Sequence, residues 1–140
     1  AHAVRIAEAA HAAGAHGLVV RPRNWLSAAG IVARASAGAS EWMPTAVAET
    51  ALDAAEHFRA RGLTIACTAQ QGATSIYAAD LRGPLFLVIG GERRGITRSF
   101  LDQADLLLEI PYGRAFDQSL GTTAATSALA FEVMRQRSRV

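Results

Sequence analysis

The sequence contains no lysine, and all fourteen of its basic residues are arginines. A doubly wound nucleotide-binding enzyme is disfavoured because no G-x-G-x-x-G follows the first predicted strand and no lysine is present for a Walker P-loop. The single cysteine, Cys67, excludes an internal disulfide, and one thiol with four scattered histidines predicts no metal site. No apolar run approaches the length of about eighteen residues of a membrane span. No signal-peptide pattern opens the sequence, so we expect a cytoplasmic protein.

The composition is that of one folded domain. With 140 residues, of which 51% are hydrophobic, the chain is long enough to bury a core. The formal charge of +2 says little about partners. Arginine suits bidentate phosphate contacts better than lysine does, although a codon bias would give the same composition. We expect Cys67 to be a buried strand residue and favour a reactive thiol less.

Helical and strand patterns alternate along the chain, which predicts an α/β fold with a mostly parallel sheet flanked by helices. The predicted helices cover residues 4–13, 25–37, 45–61, 97–103 and 122–136, with Gly14 and Gly62 ending the first and third. The predicted strands cover residues 17–20, 63–68, 85–89 and 106–110, and residues 75–79 form a short connection.

Two of the predicted strands run straight into glycine-containing loops. Residues 85–89 are a continuous apolar run, typical of a strand buried on both faces, and lead into Gly90, Gly91 and Glu92. Residues 106–110 lead in the same way into Pro111-Tyr112-Gly113. Because the carboxyl ends of parallel strands meet at one edge of a sheet, the two loops predict a ligand crevice there. Glycines without Cβ allow a ligand to press against main chain.

These motifs carry a resemblance to a known family. The segment LVIGGERRGI at residues 87–96 is followed by an I-P-x-G loop, by Ser119-Leu120 and by a helix rich in small residues. The glycine and strand at residues 14–20, the segment RASAGA at residues 34–39 and Cys67-Thr68-Ala69 extend the match over nearly the whole chain. In order and spacing the sequence resembles the SPOUT superfamily of RNA methyltransferases, and within it the SpoU/TrmH branch.

The resemblance implies a fold that periodicity does not predict, because true knots are rare. It implies a deep C-terminal trefoil knot in one SpoU-type catalytic domain over residues 1–140. The sequence opens inside the first helix, so we expect this domain to lack the family's first strand and any N-terminal RNA-binding domain. In the family the terminal helix also pairs with the first helix of a second subunit, which implies a homodimer. A buried monomeric core would leave much the same pattern of small residues.

The function implied is transfer of a methyl group from S-adenosylmethionine to a ribose 2′-hydroxyl of RNA, with ribosomal RNA favoured over transfer RNA. The family holds this cofactor in the knot, mainly through backbone groups of three loops. The corresponding residues here are Thr68, Ala69, Gly90, Gly91, Glu92, Ile110, Ser119 and Leu120.

The family's catalytic positions are altered in this chain. With Gly14 aligned, the family's arginine falls on Glu8 and its first asparagine on His2, while Gly121 replaces the asparagine expected after Ser119-Leu120. Arg5 lies one turn before Glu8 and is a substitute candidate. Glu8 would need burial to act as a base, because an exposed glutamate has a pKa of about 4.3.

The candidate catalytic residues are therefore Arg5, Glu8 and Ser119. A solvated helix face accounts equally well for Arg5, Glu8 and His2, and Ser119 is also a candidate N-cap of the last helix. A catalytically degenerate protein that binds RNA or cofactor without methyl transfer is the alternative function. The candidates for RNA phosphate contacts are Arg21, Arg23, Arg34, Arg93, Arg94 and Arg114.

Overall fold

The computed structural model describes residues 2–20, 43–90 and 96–138, with side chains from residue 5 onward. Its helices are α1 (His2–Ala12), α2 (Ala51–Arg59), α3 (Arg98–Gln103) and α4 (Thr122–Arg137). Its strands are β1 (Leu18–Val20), β2 (Thr45–Val47), β3 (Thr64–Thr68), β4 (Thr74–Ser75), β5 (Leu85–Val88) and β6 (Leu106–Glu109). The predicted helix at residues 25–37 lies outside the described residues.

All strand pairings among the described residues are parallel, as predicted. β1 pairs with β2, and the other strands form a sheet in the order β4-β6-β3-β5. The last strand, β6, thus lies between β3 and β4, which precede it in the chain. Because this sheet is parallel, the loops after β5, β3 and β6 leave it at the same edge.

The four-stranded sheet is covered on both faces, and alternate residues of its strands enter two separate cores. In β5, Leu85 and Leu87 pack into the core that contains Leu129 of α4. Phe86 and Val88 pack on the other face, with Ala55 of α2 and Phe100 of α3. The α/β architecture predicted from the sequence is confirmed.

Strand β5 is less buried than its apolar sequence predicts. Each of its four residues is only half-buried, and among the described residues β5 is the outermost strand on one side of the four-stranded sheet. The central strand β3 is different, because Ile65, Ala66 and Cys67 are buried. The buried position of Cys67 in β3 confirms the prediction of a buried strand residue, and this burial raises the pKa of its thiol.

The prediction of a helix over residues 45–61 is wrong for its first residues. Thr45–Val47 is strand β2, and the backbone pairing with β1 overrides the helical pattern. The helix begins only after Thr50, whose hydroxyl accepts a hydrogen bond from Asp53 N at 3.1 Å. The predicted connection at residues 75–79 likewise begins with Ser75 inside the short strand β4.

Both predicted helix-ending glycines are confirmed. Gly14 has φ of 92° and Gly62 has φ of 89°, a left-handed conformation that favours glycine. After α2 the N–H of Leu63 donates to Phe58 O at 3.1 Å, and the N–H of Gly62 donates to Arg59 O at 3.0 Å. These two bonds form a Schellman ending, which turns the chain directly into β3.

Helices α1 and α4 pack against each other within one chain. The small side chains of Ala7, Ala10 and Ala13 are buried. Among the described residues, no helix combines the length and the apolar character needed to cross a membrane.

Candidate functional site

The candidate site is the edge of the sheet at which β5, β3 and β6 end side by side. Gly90 follows β5, Ala69 follows β3, and residues 110–121 connect β6 to α4. The N–H of Ala69 donates to Leu108 O at 2.9 Å, so the ladder between β3 and β6 continues to the first residue of the loop. The strand order thus brings three loops from distant parts of the sequence to one place.

Two side-chain hydrogen bonds join these loops. Thr122 Oγ1, in the first turn of α4, donates to Gly90 O at 3.0 Å and joins the helix to the loop after β5. Gln70 Nε2 donates to Ser119 Oγ at 3.3 Å and joins the loop after β3 to the loop before α4. The two contacts span 32 and 49 residues of sequence, so the site forms only when the whole sheet has folded.

The first turn of α4 has polar groups without partners. Its N-cap is Gly121, with φ of −60°, and no side chain caps the helix. Thr123 Oγ1 is buried, and it has no hydrogen-bond partner among the described residues. Buried polar groups are nearly always paired, so this hydroxyl and the uncapped helix end are available to a polar ligand.

Each residue from 111 to 120 is exposed, and this loop connects the end of β6 to the first turn of α4. The hydroxyl of Tyr112 donates to Gln118 O at 3.0 Å, which closes the loop on itself. The ring of Phe116 lies against that of Tyr112, with 5.7 Å between the ring centroids. The loop therefore presents aromatic surface next to the three strand ends.

Most of the predicted cofactor residues come together at this edge. Thr68, Ala69, Gly90 and Ile110 are half-buried, whereas Ser119 and Leu120 are exposed. The predicted N-cap role of Ser119 is wrong, because Gly121 occupies that position and the Ser119 hydroxyl instead accepts from Gln70. Gly91 and Glu92 lie outside the described residues.

The predicted catalytic residues of α1 have no described contact with the three loops. Arg5 is exposed and Glu8 half-buried. With about 100° per residue, Arg5 lies on the side of α1 opposite the buried Ala7 and Ala10. Neither side chain has a hydrogen bond or ion pair with a described residue. His2 begins α1, but its side chain is outside the described part.

Of the predicted RNA-contacting arginines, only Arg114 is described, and it is exposed in the loop at residues 111–120. Arg21, Arg23, Arg34, Arg93 and Arg94 lie outside the described residues. Within the described part of the chain, histidine, cysteine, aspartate and glutamate side chains do not gather in threes that could hold a metal ion.

Several residues of the site were missed from the sequence. Gln70 links two loops, Thr122 holds the loop after β5, and Thr123 carries the unpaired hydroxyl. The signal for the threonines was two adjacent polar residues directly after a glycine at a helix start. The sequence pattern was interpreted only as a helix rich in small residues, because threonine is itself small.

Comparison with known families agrees with this geometry. The model of the SpoU rRNA Methylase family matches residues 4–131, which include every described strand of the site. The chain belongs to the SpoU rRNA methylase family. The predicted membership of the SpoU/TrmH branch is thereby confirmed.

Relatives and solved structures support the same membership. The chain is 32% identical over 128 residues to the 23S rRNA (guanosine-2′-O-)-methyltransferase RlmB of Shewanella oneidensis, covering 91% of this chain and 52% of that protein. It thus spans about half the length of this relative. The A. aeolicus TrmH/SpoU tRNA modifying enzyme matches with a TM-score of 0.82 at 24% identity, over 97% of this chain and 68% of that one.

A third match includes a bound ligand. The SpoU methyltransferase AviRb of Streptomyces viridochromogenes, solved in complex with the cofactor AdoMet, matches with a TM-score of 0.78 at 26% identity. This match covers 97% of this chain and 55% of AviRb.

Proposed function

We propose that this protein transfers a methyl group from S-adenosylmethionine to a ribose 2′-hydroxyl of RNA, with ribosomal RNA as the substrate. One observation is the main support for this proposal. In a chain of the SpoU family, the loops after β5, β3 and β6 meet at one sheet edge and are joined through Thr122 and Ser119. The named relative from S. oneidensis methylates 23S rRNA at a guanosine 2′-oxygen.

The residues of the edge fit a cofactor with polar and charged groups. Thr123 Oγ1 is buried with no partner in the part of the chain that the structure describes, and Gly121 provides no side-chain cap for the first turn of α4. The half-buried residues Thr68, Ala69 and Gly90 add main-chain donors and acceptors other than the Ala69 N–H and the Gly90 carbonyl, which already have partners. In the proposal these groups, together with Gly91, Glu92, Ile110 and Leu120, hold S-adenosylmethionine.

Bound S-adenosylmethionine supplies an electrophilic methyl group on a positively charged sulfur. The task of the protein is to hold the acceptor oxygen in line with that methyl group and to remove the hydroxyl proton. The new bond joins the ribose oxygen to the methyl carbon, and the electrons of the broken carbon–sulfur bond remain on sulfur. The proton leaves to a base or to solvent.

Three side chains are proposed to serve the acceptor. Arg5 is exposed and unpaired among the described residues, so its guanidinium is available to a ribose or phosphate. Glu8 is the candidate base, and its side chain is half-buried on α1. Ser119, held by Gln70, is placed to hydrogen-bond the cofactor or the acceptor.

The fold around the site is proposed to be a trefoil knot. Two observations support this topology: β6 inserts between the earlier strands β3 and β4, and α4 then reaches back to residues 76–81, which follow β4. The proposal includes a methyltransferase domain over residues 1–140 in a cytoplasmic homodimer. It also includes RNA contacts from Arg114 and from Arg21, Arg23, Arg34, Arg93 and Arg94.

Calorimetric titration with S-adenosylmethionine tests the cofactor site. We expect the parent protein to bind and Gly90→Val to lose binding, because a side chain at the end of β5 would occupy the space of a ligand pressed on the main chain. Gly83→Val is the matched control, since a Cβ at Gly83 meets no atom within 4 Å and the residue precedes β5 at the opposite edge.

A methyl-transfer assay on ribosomal RNA then separates the enzyme from the degenerate binder. Arg5→Ala should lower the rate, whereas Arg82→Ala at the amino end of β5 should not. Cofactor binding without methyl transfer by the parent would favour the non-catalytic alternative, to which the altered positions His2, Glu8 and Gly121 point. If the parent binds no cofactor, the enzymatic function is wrong.

A further inference from the structure

We propose that Tyr112 and Phe116 form a stacking platform for unpaired bases of the RNA substrate next to the target nucleotide. The inference rests on the proposed function, and it specifies the form of the substrate. A single-stranded or looped segment would lie across the mouth of the site, with its bases on the two rings and its backbone near Arg114.

The exposure of the two rings is the first observation. Phe116 is 56% exposed and Tyr112 is 39% exposed, although aromatic side chains carry the largest apolar surface that a core could use. Both lie in the connection between β6 and α4, the same segment that ends at Ser119 and the first turn of the helix. A nucleotide entering the site therefore passes this loop.

The internal order of the loop is the second observation. The Tyr112 hydroxyl donates to Gln118 O at 3.0 Å, and the two ring planes meet at 57° with centroids 5.7 Å apart. Ser119 is held in turn by Gln70. The rings are thus fixed in place before a ligand arrives, which lowers the entropy cost of stacking.

The chemistry of the loop favours an unpaired nucleic acid. Bases in a duplex have their faces covered, so only unpaired bases can stack on aromatic side chains. Arg114 lies between the two aromatic residues in sequence, is exposed, and has no hydrogen bond or ion pair with a described residue. Its guanidinium is available to a phosphate of the same strand.

Fluorescence anisotropy with a labelled twelve-nucleotide unpaired RNA, and with its duplex form, tests the platform. We expect Phe116→Ala and Tyr112→Ala each to weaken binding of the unpaired RNA about tenfold, with little change for the duplex. Tyr112→Phe keeps the ring but loses the hydrogen bond to Gln118 O, so it should bind the unpaired RNA more tightly than Tyr112→Ala and less tightly than the parent. Phe131→Ala is the matched control, since Phe131 is 40% exposed but lies two and a half turns along α4.

The salt dependence of binding provides an independent readout. Arg114→Ala should make the negative slope of log affinity against log salt less steep by about 0.7, as expected for the loss of one phosphate contact to a single strand. The two aromatic variants should leave this slope unchanged, because stacking releases no counterions.

The inference fails if both aromatic variants bind the unpaired RNA with parental affinity. It also fails if Phe116→Ala changes the oligomeric state measured by light scattering, because the rings would then belong to an interface between copies. Cofactor titration and methyl transfer by the parent are measured on the same preparation. A parent that methylates RNA while the aromatic variants bind normally overturns the platform alone, whereas a parent without cofactor binding overturns the enzymatic function.

Discussion

The buried polar groups at the two ends of helix α4 differ in their hydrogen bonding. Near its carboxyl end, Glu132 is buried, and its carboxylate accepts bonds of 2.7 and 2.9 Å from Arg135 and one of 2.8 Å from Gln136. The Gln136 side chain also accepts from Leu81 N at 2.7 Å and donates to Ala79 O at 3.0 Å. At the amino end, Gly121 provides no side-chain cap, and Thr123 Oγ1 has no partner within residues 2–20, 43–90 and 96–138.

This difference in hydrogen bonding indicates that the two ends of α4 have separate roles. Paired buried groups fix the helix on residues 76–81 and thereby on the sheet, which stabilises the fold. Unpaired buried groups cost stability and persist where a ligand uses them. The carboxyl end is therefore the anchor of α4, and the amino end is the part that faces the candidate site.

Replacing Gln136 should produce the largest loss of stability. Gln136→Leu leaves the Leu81 N–H and the Ala79 carbonyl without their partner, and we expect the free energy of unfolding to fall by about 3 kcal/mol. Urea unfolding followed by circular dichroism measures this change. Cofactor binding under folding conditions should be retained, because the substitution lies at the far end of the helix.

Gln118→Leu is the matched control at the site end. Its side chain is exposed and donates only to Asp117 Oδ1 at 3.3 Å, so stability should change by less than about 0.5 kcal/mol. Equal losses for the two glutamine variants would contradict the distinction between the anchor and the site.

A pair of threonines in α4 offers a test of smaller size. Thr126 Oγ1 donates to Thr122 O at 2.8 Å, whereas Thr123 Oγ1 has no partner among the residues that the structure describes. Thr126→Val should therefore cost about 1 kcal/mol, and Thr123→Val should stabilise the protein by up to about 1 kcal/mol. Urea unfolding of both variants checks the difference in sign.

Thr123→Val should also weaken S-adenosylmethionine binding in a calorimetric titration, if the hydroxyl serves the cofactor. A variant that loses stability would show that the hydroxyl has a partner in the folded protein. A variant that gains stability and binds the cofactor as the parent does would remove Thr123 from the site.

The sequence predicted the parts of this fold that depend on local patterns. Continuous apolar runs located β3, β5 and β6, and Gly14 and Gly62 marked two helix ends. It also placed Thr68, Gly90 and Ser119 at one edge, because the carboxyl ends of parallel strands meet there.

The parts that were wrong or missed depend on contacts between distant residues. β2 is a strand because it pairs with β1, and three residues of helical pattern carry no sign of that partner. Serine is a typical N-cap residue type, which made Ser119 a candidate cap, and only the fold shows that Gln70, 49 residues away, binds it. The unpaired state of Thr123 is likewise a property of its surroundings and not of its residue type.

The smallest expected effect is a dependence of stability on pH at the anchor. The hydrogen bonds from Arg135 hold the pKa of Glu132 below its usual value. A carboxyl whose pKa is lowered by folding contributes stability above its unfolded pKa of about 4.3. That contribution disappears as the pH falls through the folded pKa.

Urea unfolding at pH 7 and at steps down to pH 3 should show the parent losing about 0.5 kcal/mol more than Glu132→Gln, since the pair spans one helical turn and Arg135 is 66% exposed. Asp80 is the control, because its hydrogen bonds with Arg82 lower its pKa to about 2 but the pair is exposed. Asp80→Asn should change the pH dependence of stability by less than Glu132→Gln does, because solvent screens the exposed pair. A larger pH effect at Asp80 than at Glu132 would mean that burial at the anchor does not strengthen the ion pair.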